Sequence, residues 1–395
     1  MRWDGLRLDV GVDTGDGGHD DGGRGGGQGG GRHGDGQGGT TPLFARSAVA
    51  RTFDTPEFRG VTFYEIHARS IINRVPSASR VPFEWTVNPY RGCTHACTYC
   101  FARKTHEYLD LDSGRDFDSK IVVKVNAPDL VRRELAAPRW GGHPIAMGTN
   151  VDCYQRAEGR YRLMPGILAA LRDARNPFSI LTKGSLILRD LGLLAEAAEV
   201  TDVSTAVSIG FTDESLWRAV EPGTPSPRKR LEVCAALNGH GVPCGVLMAP
   251  ILPCLSDSPR TLETTVRRIA EAGATHVTPI VLHLRPGARE WFMAWLSREH
   301  PRLVPRYLEL YGRGAYAPKA YRERIGEIVR SLAREHGIGR SAPPGGEAGA
   351  RGGRAAEARG AGTAGTRGAS AGQRPGGRPV PPPAPAATPE QLTLL

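Results

Sequence analysis

A chain of 395 residues, 39% of them apolar and with a formal net charge of +10, is long enough to bury a large core and basic enough to meet an anionic partner such as nucleic acid. No run of eighteen apolar residues is present to span a bilayer, and the N-terminus shows no apolar stretch of the secretory kind, so a cytoplasmic protein is expected. Seven cysteines, three of them inside eight residues, point away from a disulfide framework and towards metal or redox chemistry.

Residues 1–41 are dominated by Gly with scattered Asp, His, Gln and Arg, and have too few apolar side chains to offset the entropy of ordering; a disordered segment is expected. Residues 42–82, with Phe53, Phe58, Phe63 and Tyr64, are expected to form an N-terminal extension packed on the next unit. From 83 to 300, short β-branched runs alternate with amphipathic stretches, the pattern of parallel strands with crossover helices. Strands are predicted near Phe83–Asn88, Pro144–Thr149, Phe178–Thr182, Val203–Ile209, Val242–Ala249 and His276–Leu282. The intervening helices are Ala127–Ala136 with Asn126 as its cap, Leu163–Ala174, Leu191–Ala198, Pro227–Asn238 behind Ser226, Arg260–Ala272 and Glu290–Arg298. The fold class is therefore α/β, a partial (β/α)6 barrel of the TIM type, whose chemistry belongs at the C-terminal ends of the strands. A helical extension is expected over 301–339 and a disordered Ala/Gly/Pro/Arg-rich tail over 340–395.

The first barrel strand runs into Asn88-Pro89-Tyr90-Arg91-Gly92-Cys93-Thr94-His95-Ala96-Cys97-Thr98-Tyr99-Cys100. Three thiolates spaced C-x3-C-x2-C on a loop with small residues can hold three irons of a 4Fe–4S cubane and leave the fourth iron open. A zinc site completed by His95, His106 or Cys153 is the alternative, although no second ligand pair follows.

This motif, with Tyr99 before its last cysteine, resembles that of the radical S-adenosylmethionine (radical SAM) superfamily. The runs Asn88–Cys93, Gly148-Thr149-Asn150-Val151-Asp152-Cys153-Tyr154-Gln155 and Ile180-Leu181-Thr182-Lys183 are similar to the spore photoproduct lyase-like branch, over roughly Arg51 to Leu310. The resemblance implies a 4Fe–4S cluster on Cys93, Cys97 and Cys100, and S-adenosylmethionine bound at its open iron. It further implies reductive cleavage to a 5′-deoxyadenosyl radical that abstracts hydrogen, and an electron donor such as flavodoxin or ferredoxin. Polar strand-end residues that bind S-adenosylmethionine in that family carry over to Asn150, Lys183 and Ser208, with Arg230 as a further candidate. Cys153, Tyr154 and Gln155, just past the second strand, are candidates to face the substrate, the first two as hydrogen donors. The hydrogen-donating cysteine of true spore photoproduct lyases falls where Gly148 stands here. His283 and Arg285 follow the sixth strand, where they meet a phosphate or cap the barrel. Cys234, Cys244 and Cys254 read as core or near-core residues.

The chain ends Gln391-Leu392-Thr393-Leu394-Leu395, which resembles the peptide that bacterial DNA repair and replication proteins insert into the sliding clamp. Together these features favour a radical enzyme acting on DNA, lyase- or repair-like. Two readings stay open beside it: radical chemistry on a small metabolite or protein side chain, and a non-catalytic iron–sulfur or zinc protein that binds DNA or a clamp.

Overall fold

The computed structural model describes residues 48–76 and 81–339. The Gly-rich segment, the C-terminal tail and its clamp-like peptide lie outside the described residues.

Eleven strands are formed among the described residues: β1 (Val49–Thr52), β2 (Thr62–Ile66), β3 (Ile72–Arg74), β4 (Trp85–Val87), β5 (Tyr90–Arg91), β6 (Lys120–Lys124), β7 (Ile145–Met147), β8 (Phe178–Thr182), β9 (Val203–Ser208), β10 (Cys244–Ile251) and β11 (Val277–Val281). The larger sheet has the order β11-β10-β9-β8-β7-β4-β3. Its six strands from β4 to β11 are parallel and follow one another in space as in sequence, which is the partial (β/α)6 barrel expected. Strand β3 adds an antiparallel edge beside β4.

These segments become strands because β-branched and apolar side chains fill both faces of a covered sheet. In β10, for example, six of eight residues are buried, against half-buried Leu247 and Ala249. The crossover helices show the complementary one-sided pattern. Pro259–Glu271 buries Leu262, Thr265, Val266 and Ile269, and Ser258 caps it by accepting from the Thr261 N–H at 3.2 Å. Each such Leu, Val or Ile contributes about 1.5–3 kcal/mol by leaving water. Ser226 caps Pro227–Gly239 in the same way. Asn126 does not cap its helix; its side-chain amide instead bonds both the N–H and the carbonyl of Ala68 at 2.9 Å, fastening the N-terminal segment to the barrel.

A second sheet, in the order β1-β2-β6-β5, was not foreseen in the sequence. Its inner strand β6 buries Ile121, Val122 and Val123 and interrupts the simple strand–helix alternation between β4 and β7. Phe53, Phe58 and Phe63 cluster beside it with Tyr161 of the helix Arg156–Tyr161, at ring separations of 5.2–5.5 Å to Phe63. Beyond β11, the helices Ala288–Glu299 and Val304–Tyr311 lead to Lys319–Glu335, which packs on β11 and on Pro259–Glu271. Cys234 and Cys244 are buried as expected, whereas Cys254 sits exposed in the turn after β10.

Candidate active site at the C-terminal end of the barrel

The loop between β5 and β6 carries Cys93, Cys97 and Cys100 to the C-terminal end of the barrel. All three face one cavity, together with Tyr99 and Phe101 of the same loop, Gly148–Asp152 after β7, Thr182 at the end of β8 and Lys183 after it, Ser208 of β9, and Leu282 and His283 after β11. None of the three is in a disulfide. Burial is the largest influence on their thiols and raises all three, Cys97 to about 12. A thiol raised this far keeps its proton at neutral pH unless a metal cation replaces it, which is what iron ligation does.

The loop owes its shape to residues outside the motif. Arg103, fully buried between the rings of Phe117 and Trp291, donates from Nε and Nη2 to the Cys97 carbonyl at 3.2 and 3.0 Å and pairs with Asp118 at 2.9 Å. Gln155 accepts from the Thr94 N–H and donates to the Gly92 carbonyl, both at 2.9 Å, so it grips both sides of Cys93. Gly223 passes so close that a Cβ there would lie 2.1 Å from the Thr94 carbonyl oxygen.

A ring of buried polar groups joins this loop to the strand ends. Glu221, inaccessible to solvent, accepts from the Tyr99 hydroxyl and pairs with Arg230. Arg230 donates to the Ser208 carbonyl at 2.7 Å, the Ser208 hydroxyl lies 3.0 Å from the Lys183 ammonium, and that ammonium sits over the Tyr99 ring. Burial pushes the Glu221 carboxyl up, but Arg230 and Lys183 outweigh it and hold the group below its ordinary range. Asp152 accepts from Thr182 Oγ1 at 2.7 Å and the Lys183 N–H at 2.6 Å, with His95 Nδ1 at 3.4 Å. Burial opposes its ionisation, and His95 with these two donors reverses the balance, leaving its pKa at about 2.

The structure thus brings Cys93, Cys97, Cys100, Asn150, Lys183 and Ser208 to one cavity, and corrects three other expectations. Cys153 does not line it: its thiol is fully buried behind the β7 loop. Tyr154 does not line it either, because its hydroxyl donates to Asp190 at 3.1 Å inside a buried network with Arg189 and Glu158. Arg230 stands behind Ser208 rather than beside the cavity, its charge matched by Glu221. The residues named as completing a zinc site are also committed elsewhere: His106 Nε2 bonds the Lys120 carbonyl at 2.9 Å and His95 faces Asp152. Among the described residues, no three Cys, His or carboxylate side chains gather around a single ion.

The sequence profile of the Radical SAM superfamily matches residues 87–269, which span all seven cysteines and the strand ends from β4 to β10. The chain belongs to the radical SAM superfamily. Its cofactors are a 4Fe–4S cluster and S-adenosylmethionine. An uncharacterised protein of Mycobacterium tuberculosis is 51% identical to this radical SAM protein over 78% of this chain and 92% of its own length. Spore photoproduct lyase complexed with dinucleoside spore photoproduct shares the fold, with a TM-score of 0.51 at 17% identity over 70% of this chain and 80% of that one. A variant of that lyase with bound S-adenosylmethionine and the dinucleoside gives 0.52 at 15% identity over 70% and 79%.

Proposed function

We propose that this radical SAM enzyme acts on DNA in a lyase- or repair-like reaction, with Cys93, Cys97 and Cys100 as the cluster ligands. The observation that carries the reading is the meeting of three disulfide-free cysteines with Lys183, Ser208 and Asn150 in one cavity at the barrel's C-terminal end. Cys93, Cys97 and Cys100 would hold the cluster, which when bound would supply the electron for reductive cleavage of S-adenosylmethionine. Lys183, its backbone N–H anchored by Asp152, offers an ammonium to the methionine carboxylate, and Asn150 and Ser208 offer hydrogen bonds to the amino acid or ribose. Tyr99, held by Glu221, bounds the cavity beside the last cysteine. The apolar wall of Leu247, Ile280 and Leu282 limits water where a carbon radical would be exposed.

DNA as substrate draws on the basic charge of the chain and on the dinucleoside bound by the fold's structural neighbour. The cavity differs from the pattern of the resembling lyases in one respect. Gly148 stands where the donor cysteine falls in the resembling lyases; its φ is +75°, and a Cβ there would lie 1.8 Å from the Leu181 carbonyl oxygen. This backbone has no room for a thiol at that position.

The test is anaerobic reconstitution, reduction and addition of S-adenosylmethionine, with 5′-deoxyadenosine quantified for the wild type and for Cys97→Ala. The wild type is expected to bind about four irons per chain and form deoxyadenosine, and Cys97→Ala to lose both. Irradiated DNA is expected to raise deoxyadenosine above the rate seen without it. A fully loaded wild type that forms none defeats the assigned site, and an irradiated-DNA rate equal to the control defeats the choice of substrate.

A further inference from the structure

The far end of the cavity, past β11, is built differently from the cysteine side. Phe101 and His283 line the cavity there, and the imidazole lies 5.9 Å from the Phe101 ring and 5.7 Å from that of Tyr316. Tyr316 comes from the segment before the helix Lys319–Glu335 and reaches the barrel through a single antiparallel bridge to His283. Two guanidiniums flank these rings. Arg285 lies 5.7 Å from the Phe101 centroid and donates from Nη2 to the Tyr316 hydroxyl at 3.1 Å; Arg322 lies 5.6 Å from the Tyr316 centroid, with its Nε fixed on the Ala317 carbonyl at 3.0 Å.

What sets the pair apart is its charge balance. Arg103, Arg189 and Arg230 each have a carboxylate within ion-pair distance. Among the described residues Arg285 and Arg322 have none, although both are half-buried and held in place. The nearby Glu290 carboxylate is spent on the Gly287 N–H at 2.6 Å, where it caps the helix Ala288–Glu299. Exposed Lys104 roots at the same turn, its Cβ 3.0 Å from where a Cβ on Gly287, two residues after Arg285, would lie. A guanidinium has five N–H donors, so each arginine, with one hydrogen bond to a neutral partner, keeps most of its fork for a ligand. Partly shielded, oriented and unneutralised guanidiniums suit the bidentate recognition of phosphate.

We propose that Arg285 and Arg322, with Lys104 beside them, form a phosphate-binding rim that grips a backbone phosphodiester of a DNA strand while the adjoining nucleotide enters the cavity past Phe101 and His283. The proposal rests on the reading of the substrate as DNA and adds where and by what chemistry the strand is held. The aromatic rings serve as a backing that fixes the guanidinium planes. The strand's phosphate supplies the charge that no carboxylate of the rim provides.

The experiment measures binding and needs no turnover. The full-length, cluster-loaded protein with S-adenosylmethionine is titrated into a short fluorescein-labelled single-stranded DNA at several salt concentrations and followed by anisotropy. Arg285→Ala and Arg322→Ala are each expected to weaken binding about tenfold and to flatten the salt dependence by about 0.7 in slope. Arg267→Ala removes one charge from an exposed, ion-paired site on another helix and is expected to change affinity less than about twofold. A methylphosphonate strand, neutral along its backbone, is expected to bind weakly to the wild type and equally weakly to the rim variants. Iron content and thermal unfolding verify that each variant is folded, and Arg285→Gln replaces Arg285→Ala if the latter is not.

Wild-type affinity in both rim variants, with tight binding by the wild type, overturns the rim and leaves DNA as the substrate. A wild type that makes deoxyadenosine but binds no DNA overturns both. Competition by a mononucleotide as strong as by the oligonucleotide also overturns the rim as stated, because the phosphate would then belong to a free nucleotide.

Discussion

The two sides of the cavity hold their charges in opposite ways. On the cysteine side Arg103 and Arg230 are matched by Asp118 and Glu221 inside the protein. On the β11 side Arg285 and Arg322 rest on aromatic rings, with no carboxylate of the described residues in ion-pair range. A buried charge whose partner is intramolecular fixes a shape, and removing one member leaves the other stranded in low dielectric. A half-exposed charge with no partner adds little to the shape and remains available to something outside the chain. The contrast separates residues that hold the cofactor loop from residues that meet a substrate, although all of them are arginines near one cavity.

That contrast can be broken by measurement. The largest effect on folding is expected from Glu221→Ala, which strands Arg230 and frees the Tyr99 hydroxyl: a loss of about 3–5 kcal/mol in denaturant unfolding of the cluster-loaded protein, with a smaller loss for Glu221→Gln. If Glu221→Ala unfolds like the wild type, the cysteine side is not held by its buried pair. Next, Gly148→Cys is expected to cost about 2 kcal/mol or more, because it puts a Cβ against the Leu181 carbonyl at a positive φ, and it should fail to add thiol-quenched chemistry. Unchanged thermal stability in that variant would mean the backbone at β7 yields easily. On the other side, Arg285→Ala and Arg322→Ala are expected to shift stability by no more than about 0.5 kcal/mol while lowering DNA affinity. A large loss of stability in either would return it to the structural class.

The smallest expected effect is an absence of pH dependence. His283 faces Phe101 and Tyr316, has Arg285 beside it, and shares the cavity with Cys100 and Lys183. Burial, followed by the charge of Arg285, lowers its pKa to about 4. A lowered histidine stays neutral in the folded protein until the pH falls to that value, so DNA affinity at constant salt is expected to be level from about pH 8 to about pH 5. Affinity rising through about pH 6.5 would mark an ordinary histidine that adds its own charge to the rim.

Much of the architecture is legible because parallel strands announce themselves. Val203–Ser208 and Phe178–Thr182 are β-branched or apolar runs between amphipathic helices, and both form where the pattern places them. The cysteines are legible because a loop ligand set is local in sequence. What cannot be read is anything settled by pairing across the chain. Arg230 follows a run of basic residues on a helix and looks solvated, yet it is buried because Glu221 waits nine positions earlier. Tyr154 looks available for chemistry until Asp190, thirty-six residues on, takes its hydroxyl. Gln155 looks like a substrate contact and instead holds Thr94 and Gly92. Strand β6 escapes notice because it lies outside the alternating pattern, paired with β2 and β5 rather than with the barrel. Tyr316 belongs to a segment with no signal of its own, and only the bridge to His283 brings it to the cavity.

That bridge also makes residues 283–316 a closed excursion with a narrow neck. The chain leaves the last strand at His283, builds the helices Ala288–Glu299 and Val304–Tyr311, and returns to the same place, where the Leu284 N–H donates to the Ala315 carbonyl at 2.7 Å. The entropic cost of closing such an excursion grows only slowly with its length. Residues added or removed at its outer turn, around Pro301–Leu303, would therefore be absorbed within the excursion and leave the neck in register. The periphery of this end can lengthen, shorten or diversify while the two chain segments that meet beside the cavity keep their places.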